Sequence, residues 1–129
     1  MIAGTRLWFE AYLAAFNRGD FDAFGAYYAD DIHFFGRAAQ CVGRDSVLDF
    51  YRGVRRRLEE RVDLLTFVGS AGHIAAEIRT TLRAQADWPD FPTGPLRAGE
   101  QRQSINFVFY DIGDGRFTRI RSALFARPG

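Results

Sequence analysis

Hydrophobic positions recur at two different spacings along this chain, and the change from one to the other falls near residue 60. Before it the spacing is helical. Leu7, Trp8, Tyr12, Leu13, Ala15 and Phe16 lie three and four residues apart, which makes one stripe of a helix apolar. Asn17-Arg18-Gly19-Asp20 then supplies a stop and a new start, with Asp20 placed to cap a short second helix over Phe21 to Tyr28. Ile32-His33-Phe34-Phe35 reads as a short strand, and Gly36 and Gly43 bracket a loop. Arg44 to Leu58 carries Val47, Leu48, Phe50, Tyr51, Val54 and Leu58, a third amphipathic helix.

After that the period becomes two. Val62 to Val68 is apolar enough for a strand, and Gly69-Ser70-Ala71-Gly72 is a turn. His73 to Arg83 alternates, with Ile74, Ala76, Ile78, Thr80 and Leu82 on one face and His73, Glu77, Arg79 and Arg83 on the other. Ala86 to Gly99 holds three of the four prolines and cannot be regular structure. Gln101 to Ile112 is apolar on both faces in its middle, as a central strand requires. Gly113-Asp114-Gly115 predicts a hairpin turn into a last strand, Phe117 to Ala126. Helices first, then consecutive strands on short turns, predict an α+β fold: one domain over 1–129, three N-terminal helices packed on a curved antiparallel sheet. A curved sheet under few helices leaves a mouth unfilled.

Composition sharpens this picture at a few points. Thirteen Phe, five Tyr and two Trp in 129 residues can fill a core or line a cavity for a small apolar ligand, core filling being the commoner use. Seventeen basic residues, all Arg, nearly balance sixteen acidic ones, so neither nucleic acid nor a membrane surface is an expected partner. The run Arg55-Arg56-Arg57 offers a phosphate or carboxylate patch or, with Glu59 and Glu60 directly after it, the solvated face of a helix, the latter favoured. One cysteine, Cys41, cannot make an internal disulfide or a cysteine-rich metal site. With no signal segment or membrane-spanning run in the sequence, a cytoplasmic location is expected. His33 and His73 lie far apart, and no phosphate-cradling loop, nucleophile elbow or redox pair occurs, so no metal and no cofactor is expected.

The opening Tyr12-Leu13-Ala14-Ala15-Phe16-Asn17-Arg18-Gly19-Asp20-Phe21-Asp22, followed by Tyr27-Tyr28-Ala29-Asp30-Asp31, resembles the nuclear transport factor 2-like superfamily. That superfamily includes SnoaL-like polyketide cyclases and ketosteroid isomerases. Gly43-Arg44-Asp45 at a helix start, Phe91-Pro92-Thr93-Gly94 in the proline loop and the strand after Asp114-Gly115-Arg116 fit the same pattern. The resemblance implies a cone-shaped, cystatin-like fold whose sheet has a mixed edge. It also implies that Tyr12 stands at the oxyanion-hole tyrosine, supported by Tyr51, and that Asn106 replaces a protonated acid as second donor. The isomerase's base corresponds to Gly36, which has no carboxylate, so steroid isomerase activity is not expected. His33, with its near-neutral intrinsic pKa, and Asp31 are neighbours that could substitute. Ile32-His33-Phe34-Phe35 leaves the facing of His33 open, and a structural role is the commoner one for such a residue.

Other candidates are weaker. Glu77 and Arg79, with Gln103 or Asp111, resemble in spirit the cluster of epoxide hydrolases with this fold, but alternation puts them on the outer side, at a dimer contact. Arg119, Arg121, Ala123 and Phe125 share one face; with Ala123 and Phe125 toward the cavity, Arg121 would reach its mouth. Phe16, Phe34 and Val108 complete the expected ligand wall. Trp88, Phe91 and Leu96 predict a lid or a partner contact, the latter favoured. The leading expectation is a cofactor-independent isomerase, dehydratase or cyclase acting on a small apolar carbonyl compound. The alternative is a non-catalytic ligand-binding or dimeric scaffold protein of the same fold. A homodimer is expected through an outer sheet face carrying Phe107, Phe109, Ile120 and Leu124.

Overall fold

The computed structural model describes residues 1–128. Helix α1 (Arg6–Asn17) starts where the Thr5 side chain accepts from the Trp8 amide at 3.3 Å, and α2 (Phe21–Gly25) starts at Asp20, which accepts from the Ala23 amide at 3.1 Å. Strands β1 (Tyr28–Phe35) and β2 (Gln40–Val42), helix α3 (Arg44–Arg55), and strands β3 (Leu58–Gly69), β4 (His73–Ala84), β5 (Gln101–Gly113) and β6 (Arg116–Ala126) follow. The sheet order is β2-β1-β6-β5-β4-β3, antiparallel throughout except for the parallel β1–β6 pair. The β5–β6 turn places both Asp114 and Gly115 in left-handed backbone, at φ 51° and 74°, as the hairpin signal predicts.

Three boundaries differ from the sequence reading. The second helix stops at Gly25, because the Phe117 amide donates to the Tyr27 carbonyl at 2.7 Å and draws Tyr28 into the sheet. The loop between Gly36 and Gly43 contains the three-residue β2, too short to show a period. Helix α3 ends at Arg55, and the next strand begins at Leu58 opposite Ala84, four residues before the expected start. This last shift puts Glu60 on a strand.

The inner face of the sheet meets α1, with Phe9, Tyr28, Ile32, Ile74 and Phe117 fully buried between them. Phe117 packs its ring against Trp8, Phe9, Tyr12 and Tyr110 at centroid distances of 4.8–6.5 Å. A second cluster of Val54, Leu58, Ala84, Phe91 and Leu96 covers the place where α3 gives way to β3. The proline loop builds that cluster by folding back on itself. Trp88 and Leu96 exchange backbone hydrogen bonds of 2.8 and 3.0 Å, and the Arg57 guanidinium lies 4.7 Å over the Trp88 ring. Phe91 and Leu96 are therefore core residues of this chain, not the exposed partner contact that the sequence predicts.

The outer face needs a second correction. Phe107 and Phe109 do face outward, 43% and 52% exposed, but Ile120 is buried opposite Tyr110 on the inner face. Leu124 pairs with Asn106 in that same inward row, at the open rim. A register shift between Asp111 and Ile112 resets the phase of β6, so both Phe117 and Ile120 point inward.

Candidate functional site

Between α1, α3 and the inner face of the sheet lies a cavity of about 150 Å³, open at one end. Its size is on the scale that admits a single aromatic ring. Tyr12, Phe16, Phe34, Tyr51, Asn106 and Val108 all line it. His33, Arg121 and Phe125 do not. His33 is exposed on the outer face of β1, stacked 6.4 Å from Phe35, so the cavity receives no imidazole. Arg119, Arg121, Ala123 and Phe125 do share a face, but it is the outer one: Arg121 lies over Phe109, and Phe125, 60% exposed, packs on Phe107 at 4.7 Å. On that outer side Asp111 accepts from Arg119 at 2.8 Å.

Glu77 and Arg79 lie on the outer face, as alternation predicts. Glu77 accepts from the Thr66 hydroxyl at 2.8 Å, and Arg79 reaches Asp63 at 3.5 Å. Gln103 donates to Thr81 and Asp111 serves Arg119, so these four residues form no cluster inside the cavity. Among the described residues, no three His, Cys, Asp or Glu side chains come together as a metal site.

Strand β3 contributes the side chain that the sequence reading placed on a solvated helix face. Glu60 stands opposite Leu82, one step of two from Leu58 and Val62, and lines the cavity. Its Oε1 is buried without a hydrogen-bond partner. Burial pushes its carboxyl up to about 7, against a smaller lowering from the Arg55 guanidinium. The signal for it lay in the alternation Leu58, Glu60, Val62, visible once the strand is started at Leu58.

Asn106 is buried in the same cavity. Its Nδ2 donates to the Ser104 hydroxyl at 3.0 Å, leaving one N–H unspent, and its Oδ1 has no partner. Buried polar atoms are normally satisfied, so two orphaned oxygens in one cavity point to a ligand or water that completes them. The Tyr12 hydroxyl lies 2.7 Å from the Tyr28 hydroxyl, so Tyr28 is its hydrogen-bonded neighbour in place of Tyr51. Burial, then the proximity of Tyr28 and Tyr110, holds the Tyr12 phenol well above its ordinary pKa, and burial does the same for Tyr51. Both are neutral hydroxyls at physiological pH. A side chain at Gly36 would displace the Phe34 ring, since a Cβ there would stand 2.5 Å from Phe34 Cε1 in the cavity wall.

The profile of one protein family, the SnoaL-like domain, matches residues 9–120. The chain belongs to that family. The SnoaL-like domain here has the architecture of the nuclear transport factor 2-like superfamily, and solved structures share it. A SnoaL-like polyketide cyclase from Agrobacterium tumefaciens is similar at 24% identity and TM-score 0.72, over 92% of this chain and 88% of that one. An LEH-like epoxide hydrolase of Mycobacterium tuberculosis is similar at 18% identity and TM-score 0.72, over 92% of this chain and 80% of that one. A protein of ketosteroid isomerase-like fold from Catenulispora acidiphila, complexed with trimethylamine, reaches 14% and 0.72, over 92% and 85%. Likeness at these identities concerns the fold. No curated protein sequence matches the chain.

Proposed function

We propose that this SnoaL-like domain is a cofactor-independent acid–base enzyme acting on a small apolar carbonyl compound. Glu60 is the proton carrier in place of His33. The observation that carries this reading is the orphaned Glu60 oxygen, poised near 7 in an otherwise mostly apolar cavity. The Glu60 carboxylate takes a proton from the carbon beside the carbonyl. The C–H electron pair becomes an enolate, whose oxygen is held by the Tyr12 hydroxyl and the unspent Asn106 N–H. Return of the proton at another carbon completes an isomerisation. Loss of a hydroxide, which takes the same proton and leaves as water, completes a dehydration. Attack of the enolate carbon on a second carbonyl, whose new alkoxide takes the proton back from Glu60, completes a cyclisation. Tyr51, Phe16, Phe34 and Val108 shape the wall around the ligand. The cyclase and hydrolase names carried by similar structures support an enzymatic reading.

A homodimer through the outer sheet face belongs to the same proposal, supported by the exposed rings of Phe107, Phe109 and Phe125. So does a cytoplasmic location, supported by the lone thiol of Cys41. Among the described residues, no helix is long and apolar enough to cross a membrane.

The test uses small phenols, which mimic an enolate, and small cyclic ketones. Phenols bind the wild type, and Tyr12→Phe weakens that binding by roughly tenfold, as loss of a good hydrogen bond should. Ketones incubated in D2O exchange their α-hydrogens in the presence of the wild type, read by NMR. Glu60→Gln stops the exchange and keeps phenol binding. Phenol binding with no exchange by any ketone would favour the non-catalytic binding protein. Binding indifferent to Tyr12 would remove the oxyanion site.

A further inference from the structure

The cavity mouth carries a cation that the acid–base chemistry does not use. Arg37 lies in the turn between β1 and β2, lines the cavity beside Ala38, and is half-buried there. It makes no ion pair with an acidic side chain among the described residues. Its neighbours add to the positive charge. Burial, then the charges of Arg127 and Arg102, pushes the Arg37 guanidinium below its ordinary pKa. Arg102 is anchored, donating to the Gly94 and Pro95 carbonyls at 3.1 and 2.7 Å and meeting Glu100 at 3.5 Å, so Glu100 is already engaged. A partly desolvated guanidinium with no acidic partner among the described residues is open to an anion from solution.

We propose that the ligand of this cavity is a small carboxylate, its ring or chain in the apolar interior and its charged end held by Arg37 at the mouth. The inference rests on the reading of the cavity as the ligand site and adds the substrate class: a keto acid or another apolar carbonyl compound bearing a carboxylate. A guanidinium fork matches a planar carboxylate with two parallel hydrogen bonds. Arg37 is half-buried while Tyr12 and Asn106 are buried, so the carboxylate stays on the solvent side and the carbonyl end goes inward to Tyr12 and Asn106. The cluster also draws anions toward the opening from solution, an effect that salt weakens.

The probes are 3- and 4-hydroxybenzoate, their methyl esters and phenol, titrated calorimetrically at pH 7 and low salt. Each holds a phenol for the inner end, and only the acids hold a charge for the rim. In the wild type at least one acid binds roughly tenfold or more tighter than its ester, and added salt narrows the gap. Arg37→Gln abolishes the preference and leaves ester binding unchanged, while Arg37→Lys, which retains the charge and loses the fork, keeps part of it. Acids and esters binding alike in the wild type, or a preference that survives Arg37→Gln, would overturn the proposal. In that case esters and phenol still bind and still weaken in Tyr12→Phe, so the cavity reading stands and only the carboxylate is lost. No binding by any probe, or binding indifferent to Tyr12, overturns both.

Discussion

Glu60 is an acid kept in a wall of Leu, Val, Ile and aromatic side chains, and that position has a consequence for stability as well as for chemistry. Its carboxyl titrates near 7 in the folded chain against an ordinary 4.5. Between those values the folded chain holds a proton that the unfolded chain has already released. Stability therefore falls as pH rises from about 4.5 to 7, by at most about 3 kcal/mol, and is level above. Glu60→Gln should remove that slope: urea denaturation at pH 8 finds the variant more stable than wild type by about 1–3 kcal/mol, and at pH 4.5 finds the two nearly equal. Equal stability at both values would mean that Glu60 is solvated. The exchange rate of ketones should rise through the same midpoint near 7, because only the ionised form removes a proton. Phe117 shows the opposite kind of residue, fully buried among rings. Phe117→Ala should cost about 3–5 kcal/mol in the same denaturation experiment.

At the level of elements, the turn after β1 does two jobs in four residues. Gly36 lets Phe34 turn its ring into the cavity wall, and Arg37 follows at the mouth. The position that the resemblance aligns with the isomerase's base is thus occupied by space for Phe34. Gly36→Ala should lose about 1–3 kcal/mol through overpacking, and much of that loss should disappear in a Phe34→Leu background, read as a double-mutant cycle. Additive losses would place the strain elsewhere. The proline loop is the other informative element: its Phe91 completes the second core cluster and also lines the cavity, so the loop ties the site to the α3–β3 junction.

The whole molecule presents one sheet face to its helices and leaves the other without cover. Phe107, Phe109 and Phe125 stand on that uncovered face, with Asp111, Arg119 and Arg121 beside them on one side and Asp63, Arg79 and Glu77 on the other. An apolar centre bordered by charges of both signs suits a self-complementary contact. Sedimentation equilibrium should find a wild-type dimer at micromolar concentration and a monomer for Phe109→Glu, with the fold unchanged by circular dichroism. A wild-type monomer at the highest attainable concentration would end the dimer proposal.

Much of this architecture was already written in the periodicity. Asp20 as a cap, the alternation of β4, the Asp114-Gly115 turn and the order of helices before strands are local properties, decided by residues a few positions apart. The inward placement of Tyr12, Phe16, Phe34, Tyr51, Asn106 and Val108 followed from the resemblance and from helical or strand spacing. Local spacing tells which residues share a face, but it does not tell which face meets the helices. For that reason spacing groups Arg121 with Phe125 but does not place them on the outer face, and it leaves His33 without an orientation. Register shifts add to the problem: Phe117 and Ile120 both point inward only because β6 changes phase against β5. Glu60 depended on where one strand begins, which is decided by Leu58 pairing with Ala84 across 26 residues of chain, 84 − 58, and by the second core cluster that buries both. The lack of an acidic partner for Arg37 among the described residues was beyond local reading for the same reason, since pairing is a property of everything that packs around a residue.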